Sequence, residues 1–308
     1  MKIIDIGSLN VDYVYRVDDF LKPGETKSCR SREVFAGGKG LNQSIALAKA
    51  GADVYHAGVI GADGEILRET LSKANVHLDF LQRMEIPGGH TVIQVSDAGQ
   101  NCILLYGGTN RCLTTELADQ VISRCDPSDV ILLQNETNLV GYIISKAAER
   151  GIRVALNAAP MDSAVAQYPL DKLSWLLVNE VEGAALAGSG SEGEIMDRLS
   201  ARYPNCAVIL TLGSEGVWYR LGGKDIRFGA FPVEDVVDTT AAGDTFIGYF
   251  LEAMAGGMEE RTALIRASAA SALAIQRKGA ASSIPFRYEV DGALAGNCLG
   301  KLKEIKRK

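Results

Sequence analysis

Short β-branched runs alternate with longer stretches of helical period along this chain, and few architectures accept that rhythm. Ile3 to Gly7, Val54 to Val59, Val130 to Leu133, Val154 to Leu156, Trp175 to Val178 and Val208 to Leu212 read as strands. Between them, Lys39 to Ala50 places Leu41, Ile45 and Ala48 at helical spacing and stops at Gly51; Val140 to Arg150 is a second helix of the same kind. The expected fold class is α/β: a doubly wound, mostly parallel central sheet with helices on both faces. No internal repeat, low-complexity tract or Pro/Ser-rich linker splits residues 1–308, so one domain is expected, and 47% hydrophobic residues suffice for its core. One stretch breaks the rhythm. Thr91 to Val95 and Cys102 to Tyr106 flank a polar turn with Asp97, Gly99 and Asn101, a β-hairpin that either decorates an edge or covers a site.

Charge and composition then exclude whole classes of function. A formal net charge of −6 argues against a nucleic-acid partner, which would need clustered Lys and Arg, and the one basic run, Lys301 to Lys308, reads as a solvated tail. Cys29, Cys102, Cys112, Cys125, Cys206 and Cys298 form no CxxC pair, so neither a zinc site nor a disulfide framework is expected, and a reducing compartment fits. The apolar start of the chain is interrupted by Asp5 and too short for a signal peptide, and no run is long enough to span a membrane. A soluble, cytoplasmic protein without a membrane partner is the expectation. With His56, His77 and His90 the only histidines, carboxylates are the first candidates for acid–base chemistry.

The sharpest local signal is Asp238-Thr239-Thr240-Ala241-Ala242-Gly243-Asp244-Thr245-Phe246, running into Ile247, Phe250, Leu251 and Met254 at helical spacing. Small residues at a helix entrance leave backbone N–H groups facing outward, where the macrodipole adds positive potential. Asp244 by itself would be an ordinary first-turn acid. Within this turn it reads as a general base, with the amides of Ala241, Ala242 and Gly243 stabilising charge on a transferred phosphoryl group. A second turn, Phe35-Ala36-Gly37-Gly38-Lys39-Gly40-Leu41-Asn42-Gln43, also opens a helix, and Asn42 can donate to and accept from hydroxyls. Neither the GxxxxGK[ST] spacing nor a GxGxxG fingerprint is present in it.

Together, Gly37 to Gln43 with the downstream Gly58-Val59-Ile60-Gly61-Ala62-Asp63-Gly64, and the Asp238 to Asp244 segment, resemble the two collinear signatures of the ribokinase-like, or phosphofructokinase B type, carbohydrate kinases. The likeness runs from Asn10-Val11-Asp12 to Arg277-Lys278-Gly279-Ala280 and is strongest to the family's ribose-phosphorylating branch. It implies an ATP-dependent kinase acting on the primary hydroxyl of a pentose, ribose first, with another furanose, a ketose or a nucleoside as alternatives. A sugar- or nucleotide-responsive binding protein without turnover is a further reading. Asn10, Asp12, Gly38, Lys39, Asn42 and Glu136, with Thr91 and Ile93 of the lid, would hold the sugar, and Asp244 would be the base. Asn179 and Glu182 would organise phosphate and Mg²⁺-bound water; Thr211, Gly213, Ser214, Gly216, Gly243 and Ser268 would line the nucleotide. A K⁺ site would use Asp238, Thr240, Ala274, Arg277, Gly279 and Ser283. Lid strands around 9–16, 28–36 and 90–107 would close over the sugar and form a homodimer interface.

Physical checks exist for several of these roles. Asp12 and Glu136 are acceptors for vicinal hydroxyls, a task apolar side chains cannot perform. Asn179 and Glu182 follow a strand, at the end of a parallel sheet where ligands bind, although Glu182 also suits a helix's first turn. The chain departs from the pattern at three places: Thr91, preceded by His90, stands where a small apolar lid residue is usual, Gly61 to Glu65 is one residue short, and Ala241-Ala242-Gly243 replaces the commoner Gly-Ala-Gly. The first of these bears directly on which sugar is taken.

Overall fold

The computed structural model describes residues 1–296, 298–300 and 302; of the basic run 301–308, only Leu302 lies among them. In chain order the elements are β1 (Ile3–Ile6), β2 (Asn10–Arg16), β3 (Ser31–Gly37), α1 (Lys39–Ala50), β4 (Val54–Ile60), α2 (Glu65–Lys73), β5 (His77–Arg83), β6 (Gly89–Val95) and β7 (Asn101–Tyr106). Then come α3 (Thr115–Ser123), β8 (Val130–Gln134), α4 (Val140–Glu149), β9 (Arg153–Asn157), β10 (Trp175–Asn179), α5 (Glu180–Ala187), α6 (Glu192–Arg202) and β11 (Ala207–Thr211). The chain ends with β12 (Val217–Leu221), β13 (Lys224–Phe228), α7 (Ala242–Ala255), α8 (Glu260–Ala274) and α9 (Arg287–Ala295).

The central sheet has the order β13-β12-β11-β10-β9-β8-β1-β4-β5. It is parallel from β11 to β5, and β12 and β13 extend it antiparallel at one edge. Chain order reverses at β1, which pairs with β4 on one side and β8 on the other. Loops leaving the carboxyl ends of such neighbours diverge to opposite faces and open a crevice, the usual ligand position in open α/β sheets. Two apolar clusters sandwich the sheet. One packs Leu41, Ile45, Tyr249, Phe250 and Leu264 under α1, α7 and α8; the other packs Leu117, Val121, Ile143, Ile144 and Leu199 under α3, α4 and α6. Each such side chain contributes about 1.5–3 kcal/mol by leaving water.

The hairpin expected between Thr91 and Tyr106 is β6–β7, and it belongs to a second sheet of order β3-β2-β6-β7. Here β2 runs parallel to β6, in a register that sets Asp12 opposite Thr91. Helix α1 starts directly after Gly38 (φ 96°) and stops at Gly51 (φ 107°), whose N–H returns to the Leu47 and Ala48 carbonyls. A Cβ on Gly248 of α7 would sit 2.4 Å from the Ala46 Cβ, so α1 and α7 approach at glycine distance. That contact brings the starts of the two helices together.

Candidate active site

Asp244 occupies the first turn of α7, and only 8% of it is exposed. Two amides from α1 hold its carboxylate: Asn42 Nδ2 donates to Oδ2 at 3.0 Å and Gln43 Nε2 donates to Oδ1 at 2.8 Å. The helix begins at Ala241 in the left-handed region (φ 59°), with no side chain capping its first amides. Ala242 and Gly243 form the first turn, and outside its own turn of helix no described atom lies within 4 Å of where a Gly243 Cβ would be. The Gly243 amide is therefore approachable by an anion, whereas the Ala242 N–H donates to the Thr239 carbonyl at 3.2 Å.

Among the residues expected to hold the sugar, Asn42 Oδ1 is buried and has no hydrogen-bond partner among the described residues. Such an acceptor costs about 1–3 kcal/mol unless something donates to it. Asp12 accepts from Thr91 Oγ1 at 2.5 Å, and its other carboxylate oxygen lies where a Gly37 side chain would stand. Burial, aided by the charge of Glu136 and opposed by the Thr91 bond, pushes the Asp12 pKa up to about 6. Glu136 accepts from Ser8 Oγ and from the Lys39 backbone N–H at 3.3 Å. Burial alone would lower the Lys39 pKa, but Asp244, Glu136 and Glu182 more than offset it and the net direction is upward. One cation thus faces three carboxylates. Asn10 accepts from Asn110 Nδ2 at 2.7 Å, and Asn110 Oδ1 accepts from the Leu9 N–H at 2.9 Å. Gly38 lies against Ser8 O and Asn10 N, at the same turn. Ile93 follows Thr91 by two residues on β6 and so shares its side of the lid. A cavity of about 380 Å³ opens here, lined by Asn10, Glu136, Asn110, Arg111, Leu105 and Tyr106.

The residues expected at the nucleotide and the cation lie around the flanking loops. Asn179 ends β10 and caps α5: its side chain accepts from Glu182 N–H, while Glu182 accepts from the Asn179 backbone and side-chain N–H groups at 2.9 and 3.0 Å. This capping box satisfies the helix-entry reading of Glu182. Burial nonetheless raises the Glu182 pKa against those bonds and Lys39, so the carboxylate also faces the site's charges. Thr211 closes β11, a residue earlier than the expected strand end at Leu212, and bonds the Val178 carbonyl at 3.4 Å. Gly213 and Gly216 both take positive φ, and a Cβ on Gly216 would meet Phe228 O at 2.1 Å, so this glycine is fixed by the turn into β12. Ser214 sits between them. Ser268 lies half-buried on α8, one turn before Ser271, whose hydroxyl donates to Ala242 O at 3.0 Å.

Asp238 accepts from Thr240 N (2.9 Å), Thr240 Oγ1 (2.6 Å) and Gly279 N (2.9 Å), which fastens the loop before α7 to the loop after α8. Burial opposes ionisation there, but those three bonds prevail and hold the carboxyl below its usual range. Ser283 Oγ donates to Ala280 O and Ala274 O accepts from Arg277 N, while the Arg277 side chain turns to Glu289 at 2.6 Å. Among the described residues no group of three or more His, Cys, Asp or Glu could hold a metal ion. A cation at this corner would rest on one carboxylate, hydroxyls and backbone carbonyls, oxygen donors suited to a hard ion.

Gln43, Gln134, Ser8, Asn110 and Arg111 complete the site and were not singled out from sequence. Gln43 carried a signal, its adjacency to Asn42 at the second turn; the others have none without the fold.

Comparison with known proteins agrees with this geometry. The description "pfkB family carbohydrate kinase" matches residues 2–287. A ribokinase of Haemophilus influenzae is 34% identical over 304 residues, covering 92% of this chain and 95% of that protein. A ribokinase of Arabidopsis thaliana is 33% identical over 303 residues, covering 94% and 79%. The solved structure of Arabidopsis thaliana ribokinase complexed with ribose and ATP superposes with a TM-score of 0.86 at 31% identity, covering 95% of this chain and 98% of that one.

Proposed function

This chain belongs to the pfkB family of carbohydrate kinases, and from that premise we propose that it transfers the γ-phosphate of ATP to the primary hydroxyl of D-ribose, yielding ribose 5-phosphate. The observation that carries the reading is the placement of Asp244: a buried carboxylate beside an open helix N-terminus, with an unpartnered Asn42 oxygen next to it. The hydroxyl donates its proton to Asp244 as its oxygen bonds to the γ-phosphorus and the bond to the β–γ bridging oxygen breaks, releasing ADP, while the open Gly243 amide of α7 and the Lys39 cation stabilise the charge on the phosphoryl oxygens. Asp12, Glu136, Asn10 and Asn42 hold the remaining hydroxyls, and the sheet β3-β2-β6-β7 covers them, keeping water from the phosphoryl group. Asn179 and Glu182 fit Mg²⁺ through its water shell, and the metal would neutralise charge on the nucleotide's phosphates. K⁺ suits the corner formed by Asp238, Thr240, Ala274, Arg277, Gly279 and Ser283, where it would fix the loop leading into α7. Free cysteines at all six positions fit a cytoplasmic setting. The exposed Ile103, Leu104, Leu105 and Tyr106 of β7, with Val34 and Phe35 of β3, fit burial in a homodimer through the lid.

Asp244→Asn tests the assignment of the base. Turnover is expected to fall about 10²–10⁴-fold with ATP affinity by calorimetry nearly unchanged; near-normal kcat would sink the proposal. One observation favours a second reading of the substrate. Because Thr91 already donates to Asp12, a furanose with one hydroxyl fewer is accommodated at lower cost than an apolar lid residue would allow. A coupled ADP-release panel of ribose, 2-deoxyribose, other furanoses and nucleosides, with and without K⁺, decides between them.

A further inference from the structure

The amides that hold Asp244 are themselves held. Gln43 gives Nε2 to Asp244, so its Oε1 must accept, and it accepts from Gln134 Nε2 at 2.8 Å. Gln134 Nε2 spends its other hydrogen on Asp5 Oδ1 at 2.9 Å. The second Asp5 oxygen lies 3.0 Å from Ser44 Oγ, which lies 2.8 Å from His56 Nδ1. His56 Nε2 faces the Gly7 carbonyl without reaching full hydrogen-bond geometry. Asp5, Gln43, Ser44, His56 and Gln134 are all 0% exposed. This row crosses from α7 through α1 and β8 to β1 and β4, five elements joined by side chains alone.

An amide in such a row has a polarity. Turned over, Gln43 would present Oε1 to the Asp244 carboxylate, oxygen against oxygen, in a place water cannot relieve. What forbids the turn is the far end. Asp5 Oδ1 accepts only, so Gln134 must present its NH₂ group there, and Gln43 must answer with its oxygen.

We propose that Asp5, seated by Ser44 and His56, is a positioning residue for phosphoryl transfer: it fixes the polarity of the Gln134–Gln43 pair and thereby the N–H that aims Asp244. This inference rests on Asp244 being the base. Asp5 does this as a neutral acid. Burial, opposed by the bonds from Gln134 and Ser44 and aided by the Asp244 charge, raises its pKa to about 8, and burial lowers that of His56 to about 4. The groups facing Asp5 are Ser44 from α1, His56 from β4, Gln134 from β8 and the charge of Asp244 from α7. A proton on the second Asp5 oxygen passes the donor role to Ser44, and Ser44 to neutral His56, leaving Oδ1 the acceptor that the argument requires.

The test measures kcat and KM for sugar and ATP in the full-length protein, with folding checked by thermal melt. Asp5→Val is expected to lower kcat about tenfold, the worth of one misdirected hydrogen bond near the reacting atoms, with both KM values within about twofold. Asp5→Asn, which keeps one acceptor toward Gln134 and one donor toward Ser44, restores kcat to within about threefold. Wild-type kcat in folded Asp5→Val, a rise in KM at unchanged kcat, or an Asp5→Asn as impaired as Asp5→Val each overturns the positioning role. If Asp5→Val yields no folded protein, Ser44→Ala takes its place: kcat about threefold lower at unchanged KM supports the role, and unchanged kcat overturns it. The companion Asp244→Asn separates the two claims. Turnover surviving there removes the base itself, whereas its loss alongside a fully active Asp5→Val removes only the positioning role.

Discussion

The starts of α1 and α7 are built alike and packed differently. Both open at small-residue turns and neither is capped by the side chain of the residue before it, but the first amides of α1 donate to Glu136 (3.3 Å) and Ser8 Oγ (3.2 Å), whereas among the described residues no side chain receives those of α7. At α1 the glycines are jammed. A Cβ on Gly40 would stand 2.4 Å from Ser8 N and 2.6 Å from Gly7 Cα, and one on Gly38 would stand 2.9 Å from Asn10 N. At α7 a Cβ on the corresponding Gly243 would meet nothing within 4 Å outside its own turn of helix. One sequence signal, a glycine in the opening turn of a helix, therefore has two physical meanings. At α1 it is a packing requirement that lets β1 and the helix meet, while at α7 it clears the path to its own amide.

Substitution separates those meanings. Gly40→Ala drives a methyl into backbone that cannot yield, and a loss of about 3 kcal/mol is expected, measured by urea unfolding; wild-type stability would show that the turn is not crowded after all. Gly243→Val takes the opposite course. Stability should move by less than about 1 kcal/mol, while kcat/KM for ATP drops on the order of 10²-fold, the loss of an amide donor at the phosphoryl group. If the first variant lost only activity and the second only stability, the contrast between the turns would be reversed.

The α1 turn is also locked from behind, by Asp5 against Ser44, and that lock carries a pH signature. The folded Asp5 pKa is raised to about 8 from 3.8, so its contribution to stability is complete below the unfolded value and is lost as pH rises toward the folded one. Asp5→Asn removes this titration. Its stability relative to wild type should therefore climb between pH 4 and pH 8, by a few kcal/mol, and level off above. Melting temperatures of both proteins across that range check the sign; a difference that fell with pH would mean that Asp5 is ionised in the fold.

Why Asp5 escaped notice in the sequence is instructive. Within Ile3–Ile6 it reads only as an interruption of an apolar run, because its partner Gln134 lies 129 residues away and no local pattern joins them. The alternation of strands and helices was legible because it is local: α1 has the very bounds that its periodicity predicted. Strand β5 was not legible, since His77–Arg83 is an edge strand whose exposed positions carry His77, Asp79, Gln82 and Arg83. The two turns were legible as motifs, but not the fact that Asn42 and Gln43 of one grip Asp244 of the other across about two hundred residues. That depends on the Gly248–Ala46 contact, a property of two helices and not of either sequence segment.

The departure at Ala241 yields the smallest effect and the finest distinction between the turns. Gly38 and Ala241 both take positive φ before their helices, 96° and 59°, yet only the first is glycine. An alanine in the left-handed region costs about 1–2 kcal/mol. Gly38 has no such strain, and its helix start is held by surrounding backbone; α7 starts at a strained residue with little around it. Ala241→Gly should therefore stabilise the protein by about 0.5–1 kcal/mol, the released strain less the added chain entropy. Denaturant midpoints of the two proteins measure it, and a destabilised variant would mean that the alanine methyl makes contacts worth more than the strain. Strain held next to a reacting group is common where one backbone geometry must be kept. If the strained turn serves the phosphoryl group, the stabilised variant should also bind ATP less tightly, because the relaxed turn explores orientations in which its amides point elsewhere.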